Sequence, residues 1–396
     1  MRGELHPSRE RGDSSSADGD GRDYATPAGS EDGHHQEGVS QDTGSLTPIG
    51  PISRRNLIVG VVFVVAALVG LYFLIPKLAG LHQTWGRLKH GDPLLLAVGA
   101  ALECLSIAGY TILFRTVFAR GLPRLTWRVT IEIPLAGIAA IRLFAAAGAG
   151  GVAVMVWALR RAGMEPRVIG CRVAANYSLQ YSVYLAALVV GGIGLYTGAF
   201  PGGGPQTLTL WPALVSAAAL ALGAAMALVP GDFERRLARV ARRSGPAGRM
   251  AAKLATLPAT LGAGVRTAVG LVRERRLGLL GAIAYWGFDI AVLGVSFHAF
   301  GASVPVAVLV MGYFLGTLGS LLPLPGGIGG VEGGMIGAFA AFDVPAGRAV
   351  VAVLAYRAIS FWLPTLPGIA GYIGLRSTVR GWREEDEAQQ QTAGGG

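Results

Sequence analysis

Residues 321–337 read LLPLPGGIGGVEGGMIG, and the rest of the chain takes its meaning from how this stretch sits. Two prolines and a run of glycines cannot occupy an ordinary helix interior, because proline removes a backbone donor and glycine lowers helix stability. The flanks, Val304 to Leu322 and Met335 to Phe342, are almost purely apolar. The break therefore lies at or near membrane depth, where irregular backbone is tolerated only if it is buried in protein or lines a wet cavity. Pro323, Pro325, Gly326, Gly327, Gly329 and Gly330 mark the break. An arginine, Arg357, follows inside the next apolar run.

Composition sets the class. The chain of 396 residues is 52% apolar and 15% charged, with a mean hydropathy of +0.49. A soluble domain of this length has no use for so much apolar surface, so an all-α polytopic membrane protein is expected. The net charge of +10 does not point to nucleic acid, because the basic residues fall in short loops between apolar runs and read as topology signals. Cys104 and Cys171 have no metal-ligand spacing and imply no disulfide; His34 and His35 lie in a polar tail and read as incidental. No metal or cofactor is expected.

Residues 1–53 are poor in large aliphatics and are expected to be a disordered cytoplasmic tail. Arg54 and Arg55 then introduce NLIVGVVFVVAALVGLYFLIP, long enough to span the hydrocarbon as an uncleaved first helix. A second span, Pro93 to Phe118, contains Glu103. Arg120, Arg124 and Arg128 place the following loop in the cytoplasm, which leaves the loop of Lys77, Arg87 and Lys89 outside, against the usual charge bias.

A third apolar segment, Val129 to Ala147, holds Glu132 and Arg142 and runs into AAAGAGGVAVMVWALRRAG. Sliding the sequence by 179 residues lays Gly148 on Gly327, Gly150 and Gly151 on Gly329 and Gly330, Pro166 on Pro345 and Tyr177 on Tyr356. The order apolar helix, glycine break, short helix, proline, long helix repeats, so an internal duplication is expected with halves at 128–198 and 304–375. Residues 230–276 carry eleven basic residues against Asp232, Glu234 and Glu274, and belong in the cytoplasm. Within them, GDFERRLARVARRSG reads equally as a basic amphipathic helix drawn to anionic headgroups or as a solvated orientation loop. Counting spans from there starts the second repeat outside, so the repeats are inverted, as in transporters that rock about a shared site. About eight transmembrane helices plus two short broken or re-entrant helices result, within a membrane domain 54–376 followed by a disordered tail 377–396.

Glu103, Arg142, Asp289, Glu332 and Arg357 lie in or beside apolar spans, where a lone charge costs about 2.5 to 3.5 kcal/mol. They must be paired or wet. One reading makes Glu332 and Arg357 a structural ion pair, with Glu332 in the first turn of the short helix, where a carboxylate is favoured. The other has Arg142 and Arg357 grip a lipid phosphate while Glu332 or Asp289 meets a cationic headgroup, with Asn176 and Gln180 lining the same cavity. Such amides also serve simply to join helices. Motifs for acyl transfer, zinc hydrolysis or nucleotide binding are absent from the sequence, which argues against catalysis.

The segment LLPLPGGIGGVEGGMIGAFAAFDVPAGRAVVAVLAYRAISFWLPTLPGIAGYIGL resembles the C-terminal half of the lysylphosphatidylglycerol synthase transmembrane, or flippase-like, family. Glu332, Tyr356 and Arg357 fall on that family's glutamate and Tyr-Arg positions. FAAAGAGGVAVMVWALRRAG resembles its first glycine-containing hairpin more loosely, with Ala145 to Ala147 where a proline often stands. The similarity runs from Leu57 to Leu375. It implies movement of a phospholipid, such as an aminoacylated phosphatidylglycerol, between leaflets, with anionic phospholipids as partners. The soluble aminoacyl transferase domain of the best-known relatives is not in this sequence, so any lysyl transfer would fall to a separate lipid-modifying enzyme. Alanine, glycine and arginine richness fits a bacterium, hence an inner (plasma) membrane with both termini cytoplasmic. A non-transporting subunit that anchors a partner through residues 230–276, and a lipid-headgroup or glycosyl transferase, are the competing expectations.

Overall fold

Asp92 opens the first helix by accepting from the backbone N–H groups of Leu94 at 2.8 Å and Leu95 at 3.4 Å, while Pro93 occupies the first turn, where no N–H is needed. This helix, α1, runs Pro93–Phe118. The computed structural model describes residues 91–143, 149–228, 261–274, 276–321 and 327–394. After α1 come α2 (Trp127–Leu143), α3 (Ala149–Arg161), α4 (Pro166–Tyr196) and α5 (Gln206–Leu228). A helix over 261–273 is α6. Then follow α7 (Leu280–Ala299), α8 (Val306–Thr317, extended by a 3₁₀ turn Leu318–Leu321), α9 (Gly330–Ala341), α10 (Ala346–Arg357), a π-helical turn Ala358–Trp362, and α11 (Leu363–Gly394). Every regular element among the described residues is helical.

Five helical stretches are long and apolar enough to cross a membrane: Pro93–Phe118, Pro166–Tyr196, Gln206–Ala227, Leu277–Ala299 and Ala346–Ala393; Val306–Leu321 is apolar but shorter. Large side chains such as Trp211, Val215 and Leu222 on α5 are more than 60% exposed, which suits a lipid solvent rather than water. The first expected span, the tail 1–53, residues 230–260 with their amphipathic stretch, and Gly148, Pro323, Pro325 and Gly326 lie outside the described residues.

Two helices are too short to cross. At 1.5 Å per residue, the 13 residues of α3 and the 12 of α9 reach only about 20 and 18 Å, against a hydrocarbon thickness of about 30 Å. Each packs back along its predecessor, α3 on α2 and α9 on α8. Small residues allow the close approach: a Cβ on Gly151 would lie 3.0 Å from the Gly137 carbonyl oxygen, and one on Gly334 would lie 2.7 Å from that of Gly316.

The core divides by depth. One cluster gathers the end of α1 (Phe118), the foot of α2 (Val129), the end of α3 (Leu159), the start of α4 (Ile169) and Leu375 and Trp382 of α11. The other gathers the end of α4 (Leu195), the end of α7 (Phe297), the start of α8 (Val308), the end of α9 (Phe339) and the start of α10 (Ala349). Both arms of the α2–α3 hairpin are thus rooted at one end of α4, and both arms of α8–α9 at the other.

The tail expected to be disordered from 377 is instead helical through Gly394. Its apolar residues recur at helical spacing, and Leu375, Val379 and Trp382 are buried in the first cluster. Arg124 of the α1–α2 connection forks onto Asp386, with Nη1 to Oδ2 at 3.2 Å, and Arg383 reaches Glu387 one turn on at 3.8 Å. Arginine, glutamate, glutamine and alanine are good helix formers, so polarity there marks a solvated face of a continuing helix.

Candidate functional site

The break at 327–330 is built by glycine for a conformational reason. Gly327 and Gly329 take φ of +67° and +85°, a region where a side chain is strained. Glu332, in the first turn of α9, accepts from the Gly329 N–H at 2.7 Å through Oε2 and from Arg357 Nε at 2.7 Å through Oε1. One carboxylate therefore caps the short helix and fastens it to the end of α10. The side chains are 15% and 10% exposed for Arg357 and Glu332, so the pair is largely desolvated.

Immediately beyond Arg357 the helix widens into the π turn and meets Pro364, which has no N–H to offer the Ser360 carbonyl four residues back. Arg142, from the last turn of α2, supplies the missing donors. Its Nη2 donates to the Ser360 carbonyl at 2.6 Å, and its Nη1 to the Phe361 carbonyl and to Thr365 Oγ1, the latter at 3.0 Å. The tip of the first hairpin is thereby bolted to the interrupted helix next to the Glu332–Arg357 pair.

Asp289, midway along α7, accepts at Oδ2 from Tyr313 of α8 at 2.5 Å and from Tyr356 of α10 at 3.2 Å. Asp289 and Glu103, the latter on the neighbouring α1, lie near the Arg142 guanidinium, as does Arg357. Arg142, Arg357, Asp289, Glu332 and Tyr356 are therefore brought together. Asn176 belongs to an adjoining polar pocket: it is fully buried on α4, near Gln180 and the Tyr110 hydroxyl. Both amide atoms of Asn176, Nε2 of Gln180, Oδ1 of Asp289 and Oε2 of Glu103 are buried and have no hydrogen bond of normal geometry among the described residues. Leaving such an atom unsatisfied costs about 1 to 3 kcal/mol, so these groups need water or a small rotation toward one another.

Of the expected break residues, Gly150 and Gly151 open α3 and Gly330 opens α9, so the described glycines stand at hairpin tips. Reasoning from sequence missed Tyr313 as an Asp289 partner and the Ser360 and Phe361 carbonyls as Arg142 partners. Glu132 sits at the root of α2 and is held by Arg128 at 2.8 Å, away from the central group. Cys104 and Cys171 are free thiols.

Comparison with known proteins places the chain. The model of the lysylphosphatidylglycerol synthase TM region matches residues 57–368. Three UPF0104 membrane proteins of Methanothermobacter thermautotrophicus are similar over shorter stretches. One is 36% identical over 113 residues, covering 27% of this chain and 32% of the relative. Another is 33% identical over 95 residues, covering 24% and 28%, and a third 37% identical over 84 residues, covering 21% and 25%. The matches thus span about a third or less of those relatives. The family match takes in both hairpins, the Glu332–Arg357 pair and the Arg142 crosslink, and on that ground the chain belongs to the family of the lysylphosphatidylglycerol synthase transmembrane region.

Proposed function

We propose that this membrane protein moves a phospholipid or lipid-linked headgroup between leaflets, with an aminoacylated phosphatidylglycerol as the substrate class that its family's name suggests. The observation that carries the reading is the meeting of two half-membrane hairpins, rooted at opposite ends of α4, at one buried group of charged residues. Broken helices converging on a polar interior are what a site shared by two rocking halves requires.

The helix boundaries support a duplicated chain. Adding 179 to the bounds of α2 and α3 gives 306–322 and 328–340, against 306–321 and 330–341 for α8 with its 3₁₀ turn and for α9. The opposite roots of the hairpins support inversion of the halves. Charge supports an orientation: Arg115, Arg120, Arg124, Arg128, Arg160, Arg161, Arg167 and Arg172 sit at the end of the first core cluster, while the α4–α5 and α7–α8 connections carry no arginine or lysine. By the positive-inside rule the first cluster is cytoplasmic, in a bacterial inner membrane, with both termini on that side.

A second reading, a non-transporting subunit that anchors a partner, is favoured by the way Arg142 spends its donors on protein carbonyls and Glu332 caps its own helix. One experiment separates the two. Leaflet accessibility of headgroup-labelled phosphatidylglycerol and its lysyl form is followed in liposomes containing wild type, Arg357→Ala, Glu332→Gln or Asn176→Leu. The last replaces a fully buried amide that makes no ion pair, and circular dichroism checks that it still folds. Movement in wild type that Asn176→Leu slows while folding is retained supports translocation through this interior; no movement above empty liposomes, with all proteins inserted, sinks it.

A further inference from the structure

We infer that a second site, a cleft between the end of α3 and the polar extension of α11, binds a phosphoryl group at headgroup depth. The cleft encloses about 340 Å³, within the range of small-molecule sites. Arg161 enters it from α3, and Arg376, Arg380 and Arg383 from α11. The three on α11 are spaced four and three residues apart, which puts them on one helix face.

Charge balance inside the cleft is incomplete. Among the described residues Glu384 and Glu387 also line it, two carboxylates against four guanidiniums. Arg383 leans on Glu387 at 3.8 Å, with both side chains at least 60% exposed, so that pair forms the wet rim. Arg161, Arg376 and Arg380 make no ion pair with the described residues. Three guanidiniums gathered around one concavity repel one another unless an anion joins them, and their planar forks match phosphoryl oxygens.

The floor says where the phosphate comes from. Trp157 and Val379 supply an apolar base: Val379 belongs to the core cluster at this end of the bundle, and Trp157 is partly buried against it. Tryptophan at the end of a membrane helix sits at the level of the headgroups, and an apolar shelf beneath an arginine fork fits a glycerol backbone carrying a phosphodiester. A soluble phosphate ester offers the same phosphoryl chemistry without needing the shelf. The site stands whether or not the chain moves lipid, because binding is read without translocation.

The test uses the full chain in neutral detergent, with native mass spectrometry counting bound phosphatidylglycerol, phosphatidylcholine or glycerol 3-phosphate. Wild type is expected to retain phosphatidylglycerol over phosphatidylcholine. Arg376→Ala with Arg380→Ala, both exposed and folded by circular dichroism, should weaken that retention about thirtyfold, from the attraction of each basic residue to anionic headgroups. Arg120→Ala with Arg167→Ala removes as much charge from the same end outside the cleft and should change it little. Binding of glycerol 3-phosphate that depends on Arg376 and Arg380, with no preference between the lipids, assigns the site to soluble phosphate esters. Phosphatidylglycerol retention unchanged in the first double variant, or lost equally in the second, overturns the inference.

Discussion

Arg142 and Arg357 face the same aromatic ring: their guanidinium carbons lie 5.1 and 5.0 Å from the centroid of Phe361. One comes from the tip of the first hairpin and the other from the last residue of α10. Two like charges this close inside a membrane need compensation. Arg357 has it directly in Glu332, but Arg142 is bonded to carbonyls and a hydroxyl, which leave its net charge in place. Asp289 and Glu103 are the carboxyl groups placed beside it, so the five ionisable groups form one cluster.

Replacing Arg142 tests the crosslink to the π turn. Arg142→Ala leaves the Ser360 carbonyl without the donor that Pro364 denies it, and the loss of charge-assisted bonds of this kind is worth about 1.5 to 3 kcal/mol each before relaxation. A clear drop in melting temperature in detergent is expected. Arg142→Lys keeps the charge but cannot fork onto three acceptors on neighbouring turns, so it should recover only part of the loss. Equal melting of all three proteins would show that the π turn holds itself.

The Glu332–Arg357 pair should behave as a coupled unit. Glu332→Ala removes the partner of a mostly buried guanidinium and uncaps α9, at a cost of about 3 to 5 kcal/mol for breaking a buried pair. Arg357→Ala should cost a similar amount. The double variant should cost less than the two together, with a coupling of about 1 to 3 kcal/mol in a double-mutant cycle. Additive losses would mean that the 2.7 Å contact is incidental to stability.

Much of this arrangement was legible in the sequence, and what was not has physical causes. The glycine run announced a break, and a glutamate three residues after Gly329 announced a capped helix, because helix N-termini favour carboxylates. The partners of Arg142 were hidden, since backbone carbonyls have no residue type; Pro364 was the available signal, as it strips a donor from the carbonyl four residues earlier. Tyr313 was hidden in VAVLVMGYFLGT, where one aromatic looks like any other apolar residue until its hydroxyl meets Asp289. The C-terminal extension was misread because its composition resembles disorder, although Leu375, Val379 and Trp382 carry a helical period through it.

Close packing of α1 on α7 makes a further prediction. A Cβ on Gly109 would lie 2.9 Å from the Ala284 Cβ, and a side chain on Gly281 would run into the Gly109 carbonyl and the Leu113 N–H. These two helices carry Glu103 and Asp289, so their separation sets the central geometry. Gly281→Val should force them apart and destabilise the protein by about 1 to 3 kcal/mol, the usual cost of overpacking, whereas Gly287→Ala, whose added Cβ would meet open space, should be tolerated. Thermal melting of the two variants side by side checks this.

The docking of the α11 extension should depend on pH. The bond from Arg124 holds the Asp386 carboxyl below its usual range, and the Arg124 guanidinium is correspondingly harder to deprotonate. A carboxyl whose value falls on folding adds stability that is fully present above its unfolded value, about 3.9, and is lost as pH falls through the lower folded value. Docking should therefore be constant from neutral pH down to about pH 4 and loosen only below it. Spin labels on the α1–α2 connection and on the extension near Gln389 would report the distance, which should broaden in acid for wild type. Asp386→Asn should show the broadened distribution at neutral pH and little further change on acidification. A wild-type distance that holds steady to pH 2 would assign the docking to Trp382 and Val379 in the core instead.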